Sequence, residues 1–197
     1  MPSQIKVLGF SGSLRKGSSN TALLRAAVEL APETMKLEIF DLSPLPMYNG
    51  DVEQQGMPDA VREFREWIAA ADALLIAVPE YNYSIPGALK NAIDWASRPT
   101  FGTQPPLPSP LVDKPFAMLG AGGASGTMRA QFHLRQMAVH NDMHALNKPE
   151  VYLARARDKF DAEGNLVDSS TRETIRALLI ALETWTRRLA IERPVAG

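Results

Sequence analysis

Five short stretches of the chain consist mainly of apolar residues. The third, ALLIAV, has no polar position, which is typical of a strand buried on both faces of a parallel sheet. Between these stretches, apolar residues recur every three or four positions, as they do in amphipathic helices. The pattern predicts strands at residues 5–10, 37–41, 73–79, 116–121 and 151–154.

Helices are predicted in the connections between these strands. The clearest is the last one, where the capping-box spacing Ser170-x-x-Glu173 precedes apolar residues at helical spacing. The other segments with a helical period are residues 18–31, 58–71, 87–95 and 128–144. Strands that alternate with helices are typical of a doubly wound α/β sandwich. The 197 residues fit one domain, 1–197, with a substantial core.

Charge and composition exclude several classes of partner. The net charge is −1, so the chain lacks the basic surface that nucleic acid requires. No apolar stretch reaches transmembrane length, and the first residues lead into a strand rather than a signal peptide. The absence of cysteine excludes disulfides, thiolate nucleophiles and cysteine-bound zinc. We therefore expect a cytoplasmic protein with a small-molecule partner, and neither nucleic acid nor membrane.

The loop after the first predicted strand has the composition of a phosphate site. It reads SGSLRKGSSNT, with glycines that allow a sharp turn and many hydroxyl groups. It opens a helix, whose first N–H groups lack intrahelical acceptors and favour an anion. Arg15 adds a permanent charge that can bind two phosphate oxygens. These features fit a terminal phosphate monoester best.

Other phosphate and nucleophile motifs do not match. A nucleoside-triphosphate loop needs lysine directly after its second glycine, where this chain has Ser18, and the dinucleotide pattern G-x-G-x-x-G is missing from the loop. Residues 9–13 and 123–127 match the nucleophile elbow G-x-S-x-G except at its last position, which is not glycine in either segment. A plain βα loop, whose glycines serve only the turn, stays as the alternative.

Two further loops are expected at the same edge of the sheet, because ligands of such folds bind beyond the carboxyl ends of the strands. The segment PEYNYSIPGALKNAIDW combines two tyrosines with amide and hydroxyl groups, which suits a planar ring. The segment GAGGASGTMRAQ has four glycines in seven residues, so its backbone can approach that ring. Together with the phosphate loop, these segments indicate flavin mononucleotide (FMN).

Three segments of the chain resemble motifs of the NADPH-dependent FMN reductase family, which includes bacterial quinone, azo-dye and chromate reductases. These segments are GSLRKGSSNTALL, PEYNYSIPGALKNAIDW and GAGGASGTMRAQ. The resemblance covers residues 5 to about 150 and implies a flavodoxin-like three-layer sandwich with strand order 2-1-3-4-5. It implies a set of FMN phosphate ligands: Ser13, Arg15, Ser19, Asn20 and Thr21. It also implies that the isoalloxazine is framed by Pro79, Glu80, Tyr81, Asn82, Tyr83 and Ser84, with Gly122, Gly123 and Ser125 at its other edge.

The function implied by the resemblance is an FMN-dependent NAD(P)H oxidoreductase with a ping-pong mechanism. The nicotinamide delivers a hydride to flavin N5, and quinones, free flavin, azo compounds or metal oxyanions then take the electrons. The flavin carries the chemistry, so no side chain is assigned as catalytic. The implied active unit is a homodimer or homotetramer. Two alternatives stay open, because the same architecture serves flavodoxin-type electron carriers and FMN-binding regulatory proteins.

Two other features have several explanations. Residues 98–115 hold six of the fifteen prolines, which favours an irregular lid over the flavin, an interface arm or an ordinary surface insertion. His133, His140 and His144 share one face of the predicted fourth helix, and the last two have the i, i+4 spacing of some zinc sites. No third ligand can be named, so we predict no metal site.

Overall fold

Six parallel strands form the centre of the computed structural model, which describes residues 4–99 and 108–191, apart from the side chain of Ile191. The strands are β1 Ile5–Ser11, β2 Met35–Phe40, β3 Ala73–Ala77, β4 Pro115–Ala121, β5 His144–Ala145 and β6 Val151–Leu153. Their order is β2-β1-β3-β4-β5, and β6 also pairs with β4. The predicted doubly wound sheet and its strand order are confirmed.

The fifth position of the sheet is filled by two short strands instead of one. β5 runs beside the start of β4, where the His144 N–H donates to the Lys114 carbonyl at 3.0 Å, and β6 runs beside its end. The residues between them leave the sheet and include Pro149, which has no N–H to offer a strand ladder. The predicted strand at 151–154 is confirmed, and β5 is an additional element.

Helices fill the connections on both faces of the sheet. Among the described residues, none of them is both long enough and apolar enough to cross a membrane. Their bounds are α1 Ser19–Leu30, α2 Gly50–Gln55, α3 Asp59–Ala70, α4 Gly87–Ala96, α5 Met128–His140 and α6 Ser169–Ile191, with a 3₁₀ helix at Ala156–Lys159. The predicted helices are confirmed, while α2 and the 3₁₀ helix are additional.

The predicted end of α5 at residue 144 is wrong. The helix ends at His140, because the Asn141 side chain caps its last turn and Asp142 has a φ of 52°, which turns the chain out of the helix. His144 therefore lies in β5 and does not share a helix face with His133.

The predicted capping box of α6 is also wrong, by two residues. The Asp168 carboxylate, not the Ser170 hydroxyl, accepts the N–H of Thr171 at 2.9 Å. Lys159 binds the same carboxylate at 2.7 Å. The Lys159 ammonium and the Thr171 donors together lower the pKa of Asp168 to about 2. Asp168 thus joins the 3₁₀ helix to the start of α6.

The apolar core lies in two layers, one on each face of the sheet. On one face, Leu23 of α1 and Leu179 of α6 pack with Leu75 of β3. On the other face, Phe64 of α3 packs with Ile76 of β3. The prediction that β3 is buried on both faces is confirmed. Each such side chain contributes about 1.5–3 kcal/mol on burial, and the layers hold the carboxyl ends of the strands at one rim.

The proline-rich segment lies only partly within the described structure. Residues 100–107 are outside the described ranges, so its role as lid, arm or insertion stays a prediction. Its described end packs on the protein, because Leu111 is buried and the Ser109 hydroxyl donates to the Ala96 carbonyl at 2.9 Å. β4 begins at Pro115, one residue before the predicted start.

Candidate functional site

The loop between β1 and α1 presents two free backbone donors at a helix start. Ser18 is the N-cap of α1, and its hydroxyl accepts the N–H of Thr21 at 3.3 Å. Across the described part of the chain, the N–H groups of Ser19 and Asn20 donate to no protein acceptor. Such donors at the positive end of the helix dipole favour an anion. The predicted phosphate loop therefore has the geometry of an anion site.

Gly12 lets this loop pass close to the segment that follows β3. Its N–H donates to the Ala77 carbonyl at 2.9 Å. A Cβ at this position would lie 3.0 Å from Pro79 Cδ and 3.0 Å from Leu89 Cβ, closer than ordinary van der Waals contact. Pro79 is buried beneath the phosphate loop. The two predicted binding segments are thus packed against each other.

Two of the side chains predicted to bind the phosphate differ in their surroundings. Arg15 is exposed, and its Nη2 donates to the Gly17 carbonyl at 2.8 Å within the loop. Asn20 is buried, and its amide both donates to the Ala121 carbonyl at 2.9 Å and accepts the Ala121 N–H at 3.0 Å. The Asn20 side chain therefore joins α1 to the end of β4. Only its backbone N–H is left for a phosphate.

The segment after β3 forms a tight turn that exposes two aromatic rings. Tyr81 and Ser84 exchange both backbone hydrogen bonds at 3.0 Å, and Asn82 and Tyr83 between them have φ values of 52° and 63°. Positive φ at both central residues defines a type I′ turn, which is sterically unfavourable for tyrosine. Tyr81 is 51% exposed and Tyr83 is 68% exposed. The turn thus presents flat aromatic surface to a ligand.

Glu80 lies beside this turn and is directed to α5. Its carboxylate accepts the N–H groups of Arg129 at 3.0 Å and Ala130 at 3.2 Å and pairs with the Arg129 guanidinium at 2.9 Å. The same guanidinium donates to the Ser125 hydroxyl at 2.9 Å and lies 4.1 Å from the centroid of the Tyr83 ring. The side chains of Glu80 and Ser125 are therefore used to position α5 and Tyr83.

Three of the four glycines at the end of β4 and in the loop after it are required by contacts within the protein. A Cβ on Gly120 would overlap a neighbouring side chain, and one on Gly122 would overlap the Gly126 carbonyl. Gly126 has a φ of 63° and lies against the backbone of β6. Of the four, Gly123 has open space where a Cβ would be. At Gly123 the backbone can approach a ligand freely.

A cavity of about 450 Å³ lies where these loops meet. This volume is within the range of small-molecule sites. The predicted site residues that line it are Ser13, Arg15, Ser19, Asn20, Tyr81 and Gly122. The predicted site residues that do not line it are Thr21, Pro79, Glu80, Asn82, Tyr83, Ser84, Gly123 and Ser125.

One wall of this cavity was missed by the sequence prediction. The wall follows β6, and the Ala156 N–H fixes it by donating to the Gly122 carbonyl at 3.2 Å. The basic run RARDK, at residues 155–159 after a predicted strand, is the signal that points to it. The wall contributes Ala156, Arg157, Phe160 and Gly164 to the cavity.

The chemistry of the lining fits FMN. The cavity combines free N–H donors at a helix start with guanidinium groups, which suit a phosphate, and Tyr81 supplies aromatic surface for a ring. No carboxylate is among its described lining residues. A flavodoxin-like sheet with such a site at its carboxyl rim defines an FMN-binding α/β protein.

The model of the NADPH-dependent FMN reductase family matches residues 5–158, so this chain belongs to that family. The chain is 55% identical over 190 residues to an NAD(P)H-dependent FMN reductase of Pseudomonas aeruginosa, covering 96% of this chain and 99% of the relative. It is 47% identical over 191 residues to an NADPH:quinone oxidoreductase of Arabidopsis thaliana, covering 94% of this chain and 93% of that relative.

A solved structure shows the same relationship. FerB, a flavoenzyme NAD(P)H:(acceptor) oxidoreductase from Paracoccus denitrificans, superposes with a TM-score of 0.82 at 31% identity, covering 93% of this chain and 98% of FerB. The family resemblance, the flavodoxin-like fold, the FMN cofactor, the nicotinamide donor and the assignment as an enzyme are therefore confirmed.

Proposed function

We propose that this chain reduces quinones with NAD(P)H through bound FMN, with free flavin, azo compounds and metal oxyanions as further acceptors. The observation that carries the proposal is a single cavity that joins an anion-binding loop to exposed aromatic surface. The Arabidopsis relative, named as a quinone oxidoreductase, supports quinones as acceptors. A ping-pong order follows if donor and acceptor use the same open surface in turn. A cytoplasmic location, where NAD(P)H is available, is part of the proposal.

When bound, FMN supplies the redox chemistry by taking electrons from the nicotinamide and passing them to the acceptor. Arg15 and the N–H groups of Ser19 and Asn20 hold its phosphate, and charge-assisted hydrogen bonds of this kind contribute about 1.5–3 kcal/mol each. The Ser13 hydroxyl is a further donor that lines the same cavity, and the Thr21 hydroxyl lies at the same end of α1 without lining it. This set anchors the cofactor by its charged end.

The turn between Tyr81 and Ser84, called the ring-side turn, positions the surface on which donor and acceptor meet. A tyrosine at positive φ costs on the order of 1–3 kcal/mol, and Tyr83 keeps this conformation under the Arg129 guanidinium. Glu80 holds that guanidinium in place by an ion pair at 2.9 Å. The Tyr81 ring, which lines the cavity, offers contact to the isoalloxazine. Gly123 lets the backbone approach the other edge of the ring.

Steady-state kinetics test this proposal. Initial rates of NADPH oxidation, measured at several fixed concentrations of benzoquinone, should give parallel double-reciprocal lines. Tyr81→Leu should lower kcat/KM for the quinone, whereas Tyr81→Phe should retain it, because the ring and not the hydroxyl is the proposed contact. Intersecting lines would contradict the shared surface, and no NADPH oxidation with any acceptor class would contradict the function.

We also propose that the active unit is a homodimer or homotetramer. α5 exposes an apolar stripe, with Met128 42%, Phe132 53% and Val139 83% exposed. These residues lie on one helix face, and exposed apolar patches commonly mark interaction surfaces. The stripe borders the ring-side turn, because His133 Nδ1 of the same helix lies 2.9 Å from the Ser84 hydroxyl oxygen. A second subunit on α5 would therefore lie close to the site.

Sedimentation equilibrium checks the assembly. The wild type should give a multiple of the 21.6 kDa chain mass. Phe132→Glu should dissociate it, while Ile180→Glu, a similarly exposed position on α6, should not. A fully active wild-type monomer would contradict the proposal.

A further inference from the structure

The cavity wall after β6 carries an arginine to which the proposed mechanism gives no role. Arg157 belongs to the 3₁₀ helix Ala156–Lys159 and lines the same cavity as Arg15. The two residues directly before it donate their N–H groups to the carbonyls of Gly122 and Gly123, at 3.2 and 2.9 Å. The backbone that carries Arg157 is therefore fixed against the glycine-rich segment of the site.

None of the described residues neutralises the charge of Arg157. Within residues 4–99 and 108–191, its side chain has no hydrogen bond or ion pair, whereas Lys159 nearby is bound by Asp168 at 2.7 Å. Arginine keeps its charge at all physiological pH values. Because no carboxylate is among the described lining residues, the charges of Arg157 and Arg15 both face the cavity without compensation.

A phosphate monoester matches this arrangement. It carries a charge of about −1.5 to −2 at neutral pH and three strong acceptor oxygens. One guanidinium leaves part of that charge unpaired, whereas two can balance it. Arginine is also the side chain whose planar donors bind phosphate oxygens in pairs.

We propose that Arg157 is a second phosphate-binding residue, which together with Arg15 holds the FMN phosphate and makes the cavity select FMN over riboflavin. This inference rests on the proposed function, since it takes FMN as the occupant of the cavity. The 2′-phosphate of NADPH has the same chemistry. The FMN phosphate is favoured because the free N–H donors of Ser19 and Asn20 are in the same cavity.

Titration of the FMN-free protein with FMN and with riboflavin tests this assignment. Arg157→Gln should lower the affinity for FMN about 10-fold, as expected for one charge-assisted contact at an exposed residue, and leave the affinity for riboflavin unchanged. Arg157→Lys keeps the charge without the paired donors, so its affinity for FMN should lie between those of the wild type and Arg157→Gln. The matched control is Arg155→Gln, which removes the same charge from a neighbouring side chain that does not line the cavity, and it should bind both flavins as the wild type does.

A phosphorus NMR titration of bound FMN provides a second readout. A second guanidinium favours the dianion, so the phosphate should protonate at lower pH in the wild type than in Arg157→Gln. Wild-type FMN affinity in Arg157→Gln, or an equal loss for both flavins, would overturn the assignment of Arg157. Unchanged FMN affinity with a raised KM for NADPH but not NADH would assign the residue to the nicotinamide donor instead. If the wild type binds riboflavin as tightly as FMN, the placement of the phosphate in this cavity fails as well.

Discussion

Replacing Asn20 by alanine tests whether its side chain serves the phosphate or the protein. The buried amide makes two hydrogen bonds with Ala121, at 2.9 and 3.0 Å, so truncation leaves one N–H and one carbonyl without a partner. Each unsatisfied buried group costs about 1–3 kcal/mol, which gives roughly 2–6 kcal/mol in total. Proteins of this size lose about 2–4 °C of Tm per kcal/mol, so we expect a fall of at least about 4 °C.

The assay combines thermal unfolding of the FMN-free protein with titrations of FMN and riboflavin. Because the Asn20 side chain is bonded to Ala121, Asn20→Ala should weaken both flavins by the same factor. The matched control is Ser19→Ala, whose side chain makes no hydrogen bond within the described residues, so its unfolding free energy should change by less than about 0.5 kcal/mol. A wild-type Tm for Asn20→Ala, together with a loss of affinity for FMN alone, would refute the reasoning.

Three other predictions, two of them with a matched control variant, have defined outcomes. Asn82→Ala should retain FMN but slow its reduction by NADPH in stopped-flow measurements, because alanine strains a turn position with φ of 52°. Asn82→Gly should keep the wild-type rate, and equal rates of flavin reduction in the two variants would contradict this prediction. Gly120→Ala should lower Tm, since its Cβ overlaps the Thr127 hydroxyl and the Val78 carbonyl, while Gly123→Ala should melt like the wild type in circular dichroism. Equal Tm values for the two variants would contradict this prediction. Asp168→Asn should lower Tm at neutral pH. The pKa of Asp168 is lowered from 3.8 to about 2 in the folded protein, so its carboxylate stabilises the fold above pH about 4, and this stabilisation is lost as the pH falls towards 2. A Tm difference between the wild type and Asp168→Asn that does not depend on pH would contradict this prediction.

Features that depend on neighbouring residues could be predicted from the sequence. β3 is apolar at every position because Leu75 faces one core layer and Ile76 the other. The anion-site geometry of the loop between β1 and α1 is also local, since the Ser18 cap and the free N–H of Ser19 lie within one turn of α1. Strand order and the position of the site follow from these elements together with the general rules of parallel sheets.

Contacts between distant segments account for what the sequence pattern did not show. Asn20 meets Ala121 across 101 residues, and Glu80 meets α5 across 49, so a polar residue inside a cofactor motif does not reveal its own partner. β5 has two residues, too few to show a period. The position of Arg157 depends on a 3₁₀ helix anchored by the glycine-rich segment, which no local pattern encodes.

Anaerobic mixing of the FMN-loaded protein with NADPH separates a reductase from an electron carrier. We expect the visible flavin absorbance to be bleached by NADPH alone and to return when a quinone is added, because in the proposed site one cavity would hold the cofactor and leave aromatic surface open to both reactants. A bound flavin that stays oxidised with both NADPH and NADH would contradict the assignment of this chain as an FMN-dependent reductase.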